Sequence, residues 1–447
     1  MGGGKQHSRQ MNTNREVLRL AVPSILANIT IPLVGLVDTA IVGHISDAHA
    51  IGGIAIGTML FDLLYWNFGF LRVGTSGMTA QAYGRGDRVE CARLLSQSIG
   101  IALIGAAVIW LLQWLFVTAV LACVPCSAEV ADFARRYFFV RVWAAPATLS
   151  LMALKGWFIG MQDTVSPMAT DIVVNVVNII ASYTLAVYSP LGAIGVAHGT
   201  LIAQYTGLLL AAVIVLMKYR KVWNGLSLWR LARDGQGMKR LMVLNGNLFI
   251  RSLCFMVVYV GFTSLASFYG DTELAVSSIM MKLFMLFSYF IDGFAYAGEA
   301  LVGRFIGDEE QHGQAPRVVR VLFLWSVGLG IAATILFAIG ANPMYRLMTS
   351  DADVLTAIQP FIPWLIAMPV VSALAFMWDG VYTGATAGKE IRNGMIFAAI
   401  GFVVGYAATY RWLGVHAIYV GYFAHLVARV VYLTAKWKVV YDREIGE

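Results

Sequence analysis

Charged residues are scarce in this sequence: Asp, Glu, Lys and Arg make up 13% of its 447 residues, whereas an ordinary soluble domain has about 25%. Hydrophobic residues account for 59%. So few charges cannot cover a water-exposed surface over so many apolar runs, which excludes a soluble globular protein. The sequence therefore predicts an all-α polytopic membrane protein.

The usual enzyme motifs are also missing. There is no Gly-rich phosphate loop, HExxH pair, nucleophile elbow or Walker motif, and the polar breaks are too short for a catalytic domain. We therefore expect no enzymatic activity and no cofactor. Among four cysteines, Cys123 and Cys126 have redox-motif spacing but no surrounding βαβ pattern. In the predicted external loop they could be free thiols or a disulfide.

Apolar segments of about 20 residues or more recur with short polar breaks, as bilayer-spanning helices require. We count twelve, at approximately 17 to 42, 51 to 76, 94 to 121, 137 to 160, 166 to 188, 191 to 217, 243 to 268, 274 to 299, 319 to 341, 359 to 383, 393 to 413 and 414 to 435. With a cytoplasmic amino terminus, the inner breaks hold twenty-two Lys and Arg residues and the outer breaks four. This positive-inside bias predicts a cell inner (plasma) membrane protein with both termini cytoplasmic.

The longest polar break, Lys218 to Arg240, bisects the chain and mixes basic with aromatic residues. Beside a membrane this pattern indicates a linker on the anionic inner leaflet, and no nucleic-acid partner is expected. The predicted organisation is a cytoplasmic tail (1–16), an amino-terminal six-helix lobe (17–217), the basic linker (218–242), a carboxy-terminal six-helix lobe (243–435) and a second cytoplasmic tail (436–447).

The two halves resemble each other at one offset of 223 or 224 residues. The matched stretches are Gln81 to Asp87 with Arg304 to Glu310, Gly156 to Gly160 with Gly380 to Gly384, and Asp47 to Ile51 with Asp271 to Ala275. Six helices per half give both halves the same membrane topology. We therefore predict two lobes related by a pseudo-two-fold axis along the membrane normal, with a substrate cavity between them.

An acidic residue, Asp38, lies in an apolar run that begins near Val17. On insertion scales a charged Asp at a membrane-helix centre is unfavourable by about 2.5 to 3.5 kcal/mol, so such a residue usually faces a cavity, takes up a proton or binds a cation. Alternatively, Asp38 reaches the headgroup layer, because Gly43 near the helix end is only a few residues away.

Several motifs along the whole chain resemble those of the multidrug and toxic compound extrusion (MATE) family, in particular its DinF-like branch. They are Gly35 to His44, Gln81 to Gly84, Asn175 to Asn178, Gly195 to Thr200, Asp292 to Glu299 and Asp379 to Thr386. The resemblance implies export of organic, often cationic compounds in exchange for inward H⁺ or Na⁺ by alternating access. The expected partners are a small organic cation or drug and the lipid bilayer, and the expected state is a monomer.

The resemblance places the coupling carboxylate at Asp38 and its polar neighbours at Asn175, Asn178 and Thr200. Many relatives carry a second carboxylate where this chain has Ser182. Asp171 shares the helical face of the asparagines, but it lies roughly 16 Å nearer the cytoplasm than Ser182.

A single carboxylate favours H⁺ as the coupling ion, because protonation needs one acid whereas Na⁺ wants several oxygen ligands. Na⁺ binding through Asp38, Asn175, Asn178 and Thr200 is the alternative, and we expect no other metal site. Pro23 and Pro32 each remove a backbone hydrogen bond from the first helix. We expect Pro23 to act as a hinge when Asp38 is protonated, although both prolines could also fit a static kink.

Opposite charges occur inside the second half, where Arg251, Asp292 and Asp379 fall in apolar segments and Lys282 could join them. They form either a second-lobe site for substrate or protons or a structural ion pair. In the first half, Asp62 has no counterpart in the family pattern, and Arg72 or Arg141 could neutralise it.

Two functions from other classes remain open. Related two-by-six folds move lipids, so a flippase of lipid-linked precursors is one alternative, although acidic Asp38, Asp292 and Asp379 argue against the cationic groove it needs. A non-transporting membrane scaffold is disfavoured by the number of buried ions. Efflux of a cationic dye with and without a pH gradient would separate the three.

Overall fold

The computed structural model describes residues 13–45, 48–124, 126–223, 225–349 and 351–446. Every described element is an α-helix or a short 3₁₀ turn. The helices are α1 (Thr13–Ile45), α2 (Ala48–Trp66), α3 (Phe70–Gly84), α4 (Arg88–Cys123), α5 (Ala128–Arg141), α6 (Ala145–Gly160), α7 (Val165–Tyr188), α8 (Gly195–Lys218), α9 (Arg220–Trp223), α10 (Leu228–Ala232), α11 (Gly235–Ser267), α12 (Asp271–Gly307), α13 (Ala315–Met348), α14 (Ala352–Ala357), α15 (Ile362–Gly384), α16 (Gly388–Leu413) and α17 (His416–Gly446).

Eleven stretches of the described chain are long and apolar enough to cross a membrane. They correspond to all the predicted spans except the first, which lies within α1. Helices are the form that satisfies every backbone hydrogen bond without water, which is why these apolar runs fold this way. The chain is a multi-pass membrane protein.

Two of the predicted spans are interrupted. The span expected at 51 to 76 breaks between α2 and α3, where Asn67 donates a side-chain hydrogen bond of 2.7 Å to the Leu63 carbonyl. The span expected from residue 137 passes through a 3₁₀ turn at Val142–Ala144. Pro146 follows in the first turn of α6, where a missing N–H costs nothing. Hydropathy alone does not register either break.

Most of the predicted tail 1–16 lies outside the described residues. The described part of the predicted tail 436–447 is helical, since α17 continues to Gly446. The chain divides into two compact units, which we call the first unit (26–245) and the second unit (1–25 and 246–447). Helix α1 contributes to both, because the division falls between Ile25 and Leu26. The exact lobe boundaries expected from the sequence stay a prediction.

Glycines at matching positions allow close helix packing inside each unit. A Cβ on Gly156 would lie 2.2 Å from the Arg72 carbonyl oxygen, and a Cβ on Gly380 would lie 2.4 Å from the Ala295 carbonyl oxygen. Only glycine fits at these contacts, so α6 approaches α3 closely in the first unit and α15 approaches α12 closely in the second. Both glycines belong to the repeat motif.

The turns that follow these helices also match. Gln162 and Thr386 have positive φ angles of 62° and 54°, and they are the two non-glycine residues of the described chain that do. They are 224 residues apart. An L-residue in this region carries strain of about 1 to 3 kcal/mol, which persists only where the surrounding packing enforces it.

Aromatic side chains fill the interior of both units. In the first unit, Phe61 stacks on Phe138 with ring centroids 4.7 Å apart. In the second unit, Phe284 stacks on Tyr422 at 5.6 Å. Such rings bury large apolar areas and fix the rotation of α2, α5, α12 and α17 about their axes. That rotation decides which charged groups point inward.

Candidate functional site

The carboxylate of Asp38 lies in the part of α1 that belongs to the first unit. It faces the hydroxyl of Ser182 on α7 and the guanidinium of Arg141 on α5. Its Oδ1 is buried and has no hydrogen-bond partner among the described residues. A buried acceptor without a donor is costly unless a proton or a cation reaches it.

The close approach of α7 and α8 brings the next polar pair together. A Cβ at Gly199 would lie 2.4 Å from the Oγ of Ser182, so the two helices touch at this point. One residue further along α8, the Thr200 hydroxyl accepts a hydrogen bond of 2.9 Å from the Asn178 amide. The Asn178 Oδ1 is buried without a hydrogen-bond partner in the described part of the chain.

Asn175 belongs to a different contact. Its amide donates a hydrogen bond of 2.5 Å to the hydroxyl of Thr30 on α1. Thr30 precedes Asp38 by eight residues, or roughly 12 Å along a helix. In the structure, Asn178 is therefore hydrogen-bonded to Thr200, and Asn175 is hydrogen-bonded to Thr30. No sequence motif singled out Thr30, because a lone threonine in an apolar run usually bonds its own helix, as its hydroxyl also does here to Ala27.

The guanidinium of Arg141 is a member of this site that the sequence associated only with Asp62. The Arg141 side chain is partly buried. Its Cζ lies 4.6 Å from the centre of the Phe61 ring, and its Nη1 donates a hydrogen bond of 3.1 Å to the Tyr137 hydroxyl. It interacts electrostatically with both Asp38 and Asp62. An arginine inside an apolar segment was the available signal.

Asp171 has a partner of its own. The Lys155 ammonium on α6 lies 2.7 Å from the Asp171 Oδ2. The pair joins α6 to α7 within the first unit. Asp171 is therefore engaged away from Asp38, and Lys155 neutralises its charge inside the membrane.

A second charged group lies in the second unit. Asp379 on α15 forms an ion pair with Arg429 on α17, and its Oδ2 also lies 3.7 Å from the Arg251 Nη1 on α11. Asp292 on α12 interacts electrostatically with Arg429. The sequence predicted Arg251, Asp292 and Asp379 as a group and missed Arg429. Lys282 is exposed and forms no ion pair with any described residue.

The arginines and aspartates of this group differ in exposure. The Arg429 side chain is 2% exposed, whereas those of Arg251 and Asp379 are 22% and 17% exposed. Arg429 also packs its guanidinium 5.6 Å from the centre of the Phe376 ring. Arg429 is thus the buried anchor, and the other two charges have partial access to the surface of the unit.

The two cysteines of the predicted external loop are both exposed free thiols. In the described structure they do not form the disulfide that the spacing left open.

Apolar membrane-crossing helices with ionised groups held inside them define the class: a multi-pass helical membrane protein with the buried polar sites of a transporter. The sequence profile of the MatE family matches residues 23–184 and 248–410. The chain belongs to this family, so the resemblance of its motifs to the MATE family is confirmed.

Individual relatives agree with this assignment. DNA damage-inducible protein F of Escherichia coli (strain K12) is 32% identical over 96% of this chain and 92% of its own length. Human multidrug and toxin extrusion protein 1 is 24% identical over 91% of this chain and 71% of its own length. A crystal structure of a MATE in complex with MaL6 has a TM-score of 0.86 at 17% identity, covering 96% of both chains, and shares the fold.

Proposed function

We propose that this chain is a secondary active antiporter that exports organic, mainly cationic compounds in exchange for H⁺ by alternating access. Family membership and the name of the human relative, multidrug and toxin extrusion protein, support the export role. The positive-inside bias supports an inner-membrane location with both termini cytoplasmic. In this proposal the protein acts as a monomer and needs no cofactor.

Proton coupling rests mainly on one observation, the environment of Asp38. This carboxylate has a hydroxyl, Ser182, where a second acid would help to hold Na⁺, and it has a guanidinium, Arg141, as its charged neighbour. The positive charge of Arg141 disfavours any added cation here, and Na⁺ in addition needs several oxygen ligands. A proton instead neutralises Asp38 by bonding to one carboxylate oxygen, and it needs no further oxygen ligands.

Na⁺ coupling is the second candidate, and the buried Oδ1 of Asn178 favours it. That oxygen and the Asp38 Oδ1 both lack donors among the described residues, and cation sites are built from such oxygens. The Thr200 hydroxyl and the Asn175 amide oxygen would complete the set.

We further propose that α1 bends during transport. Pro23 removes the hydrogen bond to the Arg19 carbonyl, and Pro32 removes the bond to the Asn28 carbonyl. The division of α1 between the two units, at Ile25 and Leu26, lies between these prolines. Loss of charge at Asp38 would release it from Arg141 and allow the helix to bend.

Twelve spans in two six-helix lobes related by a pseudo-two-fold axis along the membrane normal complete the proposed architecture. Matching glycine contacts and matching positive-φ turns, 223 or 224 residues apart, support this arrangement. We also propose that Arg251, Asp292 and Asp379 contribute to transport, since Arg251 and Asp379 are partly accessible.

The deciding experiment uses purified protein in liposomes loaded with a fluorescent organic cation. A pH gradient without Na⁺ should drive dye movement, and a Na⁺ gradient at equal pH should not. Dye movement on the Na⁺ gradient alone would show that the coupling ion is Na⁺ and not H⁺. No dye movement under either gradient would favour the flippase of lipid-linked precursors.

A further inference from the structure

A basic segment near the end of the first unit is fixed to the rest of that unit at both of its ends. It lies between a span that ends at Lys218 and one that begins at Gly237, and it contains the short helices α9 and α10. With fewer than twenty residues between two spans, it must stay close to the membrane surface.

A buried carboxylate, Asp163, anchors the start of the segment. Its Oδ2 accepts hydrogen bonds of 2.7 Å from both the Lys218 ammonium and the Tyr219 hydroxyl, and one of 2.5 Å from Ser166. Burial alone would raise the pKa of Asp163, but these bonds outweigh it and lower that pKa below the ordinary value. The anchor therefore stays charged at neutral pH.

The apolar side of the segment packs on the protein. Trp223 stacks on Trp157 with ring centroids 5.6 Å apart, and its indole N–H donates to the Val215 carbonyl at 3.3 Å. Val222 is buried. Trp223 is consequently half-buried against the first unit.

The far end of the segment is held by α4. The Gln97 amide donates a hydrogen bond of 3.0 Å to the Asp234 carbonyl, and Arg93 forms an ion pair of 2.9 Å with the Asp234 carboxylate. Asp234 is the one acidic residue between 219 and 240. Its charge is thus already paired with a residue outside the segment.

Several basic side chains of this region are exposed on the surface of the protein. Arg220, Lys221 and Arg230 of the segment, and Lys239 and Arg240 just beyond it in α11, are all exposed. None forms an ion pair with a described residue. Three positive charges are therefore held near the membrane surface by a segment whose Trp223 and Asp234 already contact the first unit, and two more follow at the start of α11.

We propose that this basic segment binds the headgroups of anionic phospholipids in the surrounding membrane. Each Lys or Arg near an anionic surface attracts it, and charges within a Debye length of about 10 Å act together. Because Tyr219 and Trp223 are both engaged by the first unit, we expect the binding to be electrostatic, without a need for either side chain to insert into the acyl region. This role does not depend on the coupling ion or the substrate.

The test measures lipid selectivity of the protein in phosphatidylcholine vesicles by electron spin resonance. Spin-labelled phosphatidylglycerol should be immobilised more strongly than spin-labelled phosphatidylcholine. The variant Arg220→Gln/Lys221→Gln/Arg230→Gln should lose this preference by about twofold or more, given the attraction that each basic residue contributes. The matched control Arg135→Gln/Arg346→Gln/Arg411→Gln removes three exposed charges from the other predicted side and should keep it.

A second measurement uses the wild-type protein, so its result does not depend on whether the variant folds. In the wild-type protein, raising NaCl should lower the phosphatidylglycerol preference progressively, because salt screens exposed charges. Equal immobilisation of the two lipids by the wild type, or a preference that the triple variant retains, would overturn the proposal. Loss of the preference on adding millimolar inorganic phosphate at constant ionic strength would also overturn it, in favour of a free-phosphate site.

Discussion

Gly199 of α8 lies directly against Ser182 of α7, where any Cβ would fall 2.4 Å from both the Ser182 Oγ and its backbone nitrogen. This contact sets the separation of the two helices. It places Thr200 within reach of Asn178, and it places Ser182 where it faces Asp38. One small residue thus positions three polar groups of the candidate site.

Replacing Gly199 by Ala should push α7 and α8 apart. Forcing an extra methyl into a well-packed contact costs about 1 to 3 kcal/mol. We expect a lower unfolding temperature in detergent and loss of transport. The control Gly100→Ala, on α4, adds its Cβ where nothing lies within 4 Å, and it should leave both unchanged. Equal behaviour of the two variants would refute the packing role of Gly199.

Pro23→Ala should restore the hydrogen bond to the Arg19 carbonyl and stiffen α1. We expect slower export with unchanged substrate binding, because bending and not recognition is impaired. Dye export from liposomes and dye binding in detergent measure the two effects separately. Pro343→Ala changes a proline inside α13 and serves as the control. Full export by Pro23→Ala would contradict the hinge.

The Asp163 anchor should contribute stability that depends on pH. Because folding lowers the pKa of this carboxyl from its ordinary value of 3.8, its contribution is complete above that value and disappears as the pH falls through the lowered pKa. Asp163→Asn should cost about 1.5 to 3 kcal/mol near neutral pH, the usual contribution of hydrogen bonds to a charged group. Unfolding by dodecyl sulfate should show the wild type and the variant converging below about pH 4. A difference that grows with acidification would be inconsistent with this reasoning.

The ion pair of Asp379 and Arg429 should separate structural from functional roles in the second unit. Asp379→Asn removes the ion-pair partner of Arg429, whose side chain is 2% exposed, and such a loss typically costs about 3 to 5 kcal/mol. Adding Arg429→Gln should recover most of that stability. If Asp379 contributes to transport, as we propose, the double variant should remain deficient in export. Recovery of export together with stability would make the pair purely structural.

The sequence was sufficient to predict the helical class, the apolar spans and the family, because these depend on composition and on order along the chain. It was less informative about partners. A hydrophobic segment gives the length of a helix but not its rotation about its axis. The sequence therefore groups Asn175 with Asn178, whereas in the structure the Asn175 amide donates a hydrogen bond to Thr30. Long side chains add to this difficulty.

Arg141 and Arg429 illustrate why the partners of long side chains are hard to predict from the sequence. Each carries its charge several ångströms from its own backbone, to a carboxylate on another helix. Their positions inside apolar segments marked them as unusual, but only the packing of α5 and α17 shows which acid each one faces. The breaks at residues 67–69 and 142–144 depend likewise on local hydrogen bonds that hydropathy ignores.

The most direct test of the account is dye export by Asp38→Asn in liposomes under a pH gradient without Na⁺. Wild-type protein should export the dye and move protons in the opposite direction, and Asp38→Asn should reduce both to the level of protein-free liposomes. Asp38→Glu keeps a titratable carboxyl and should retain part of the activity. Proton-driven export that survives in Asp38→Asn would contradict the central role of this carboxylate.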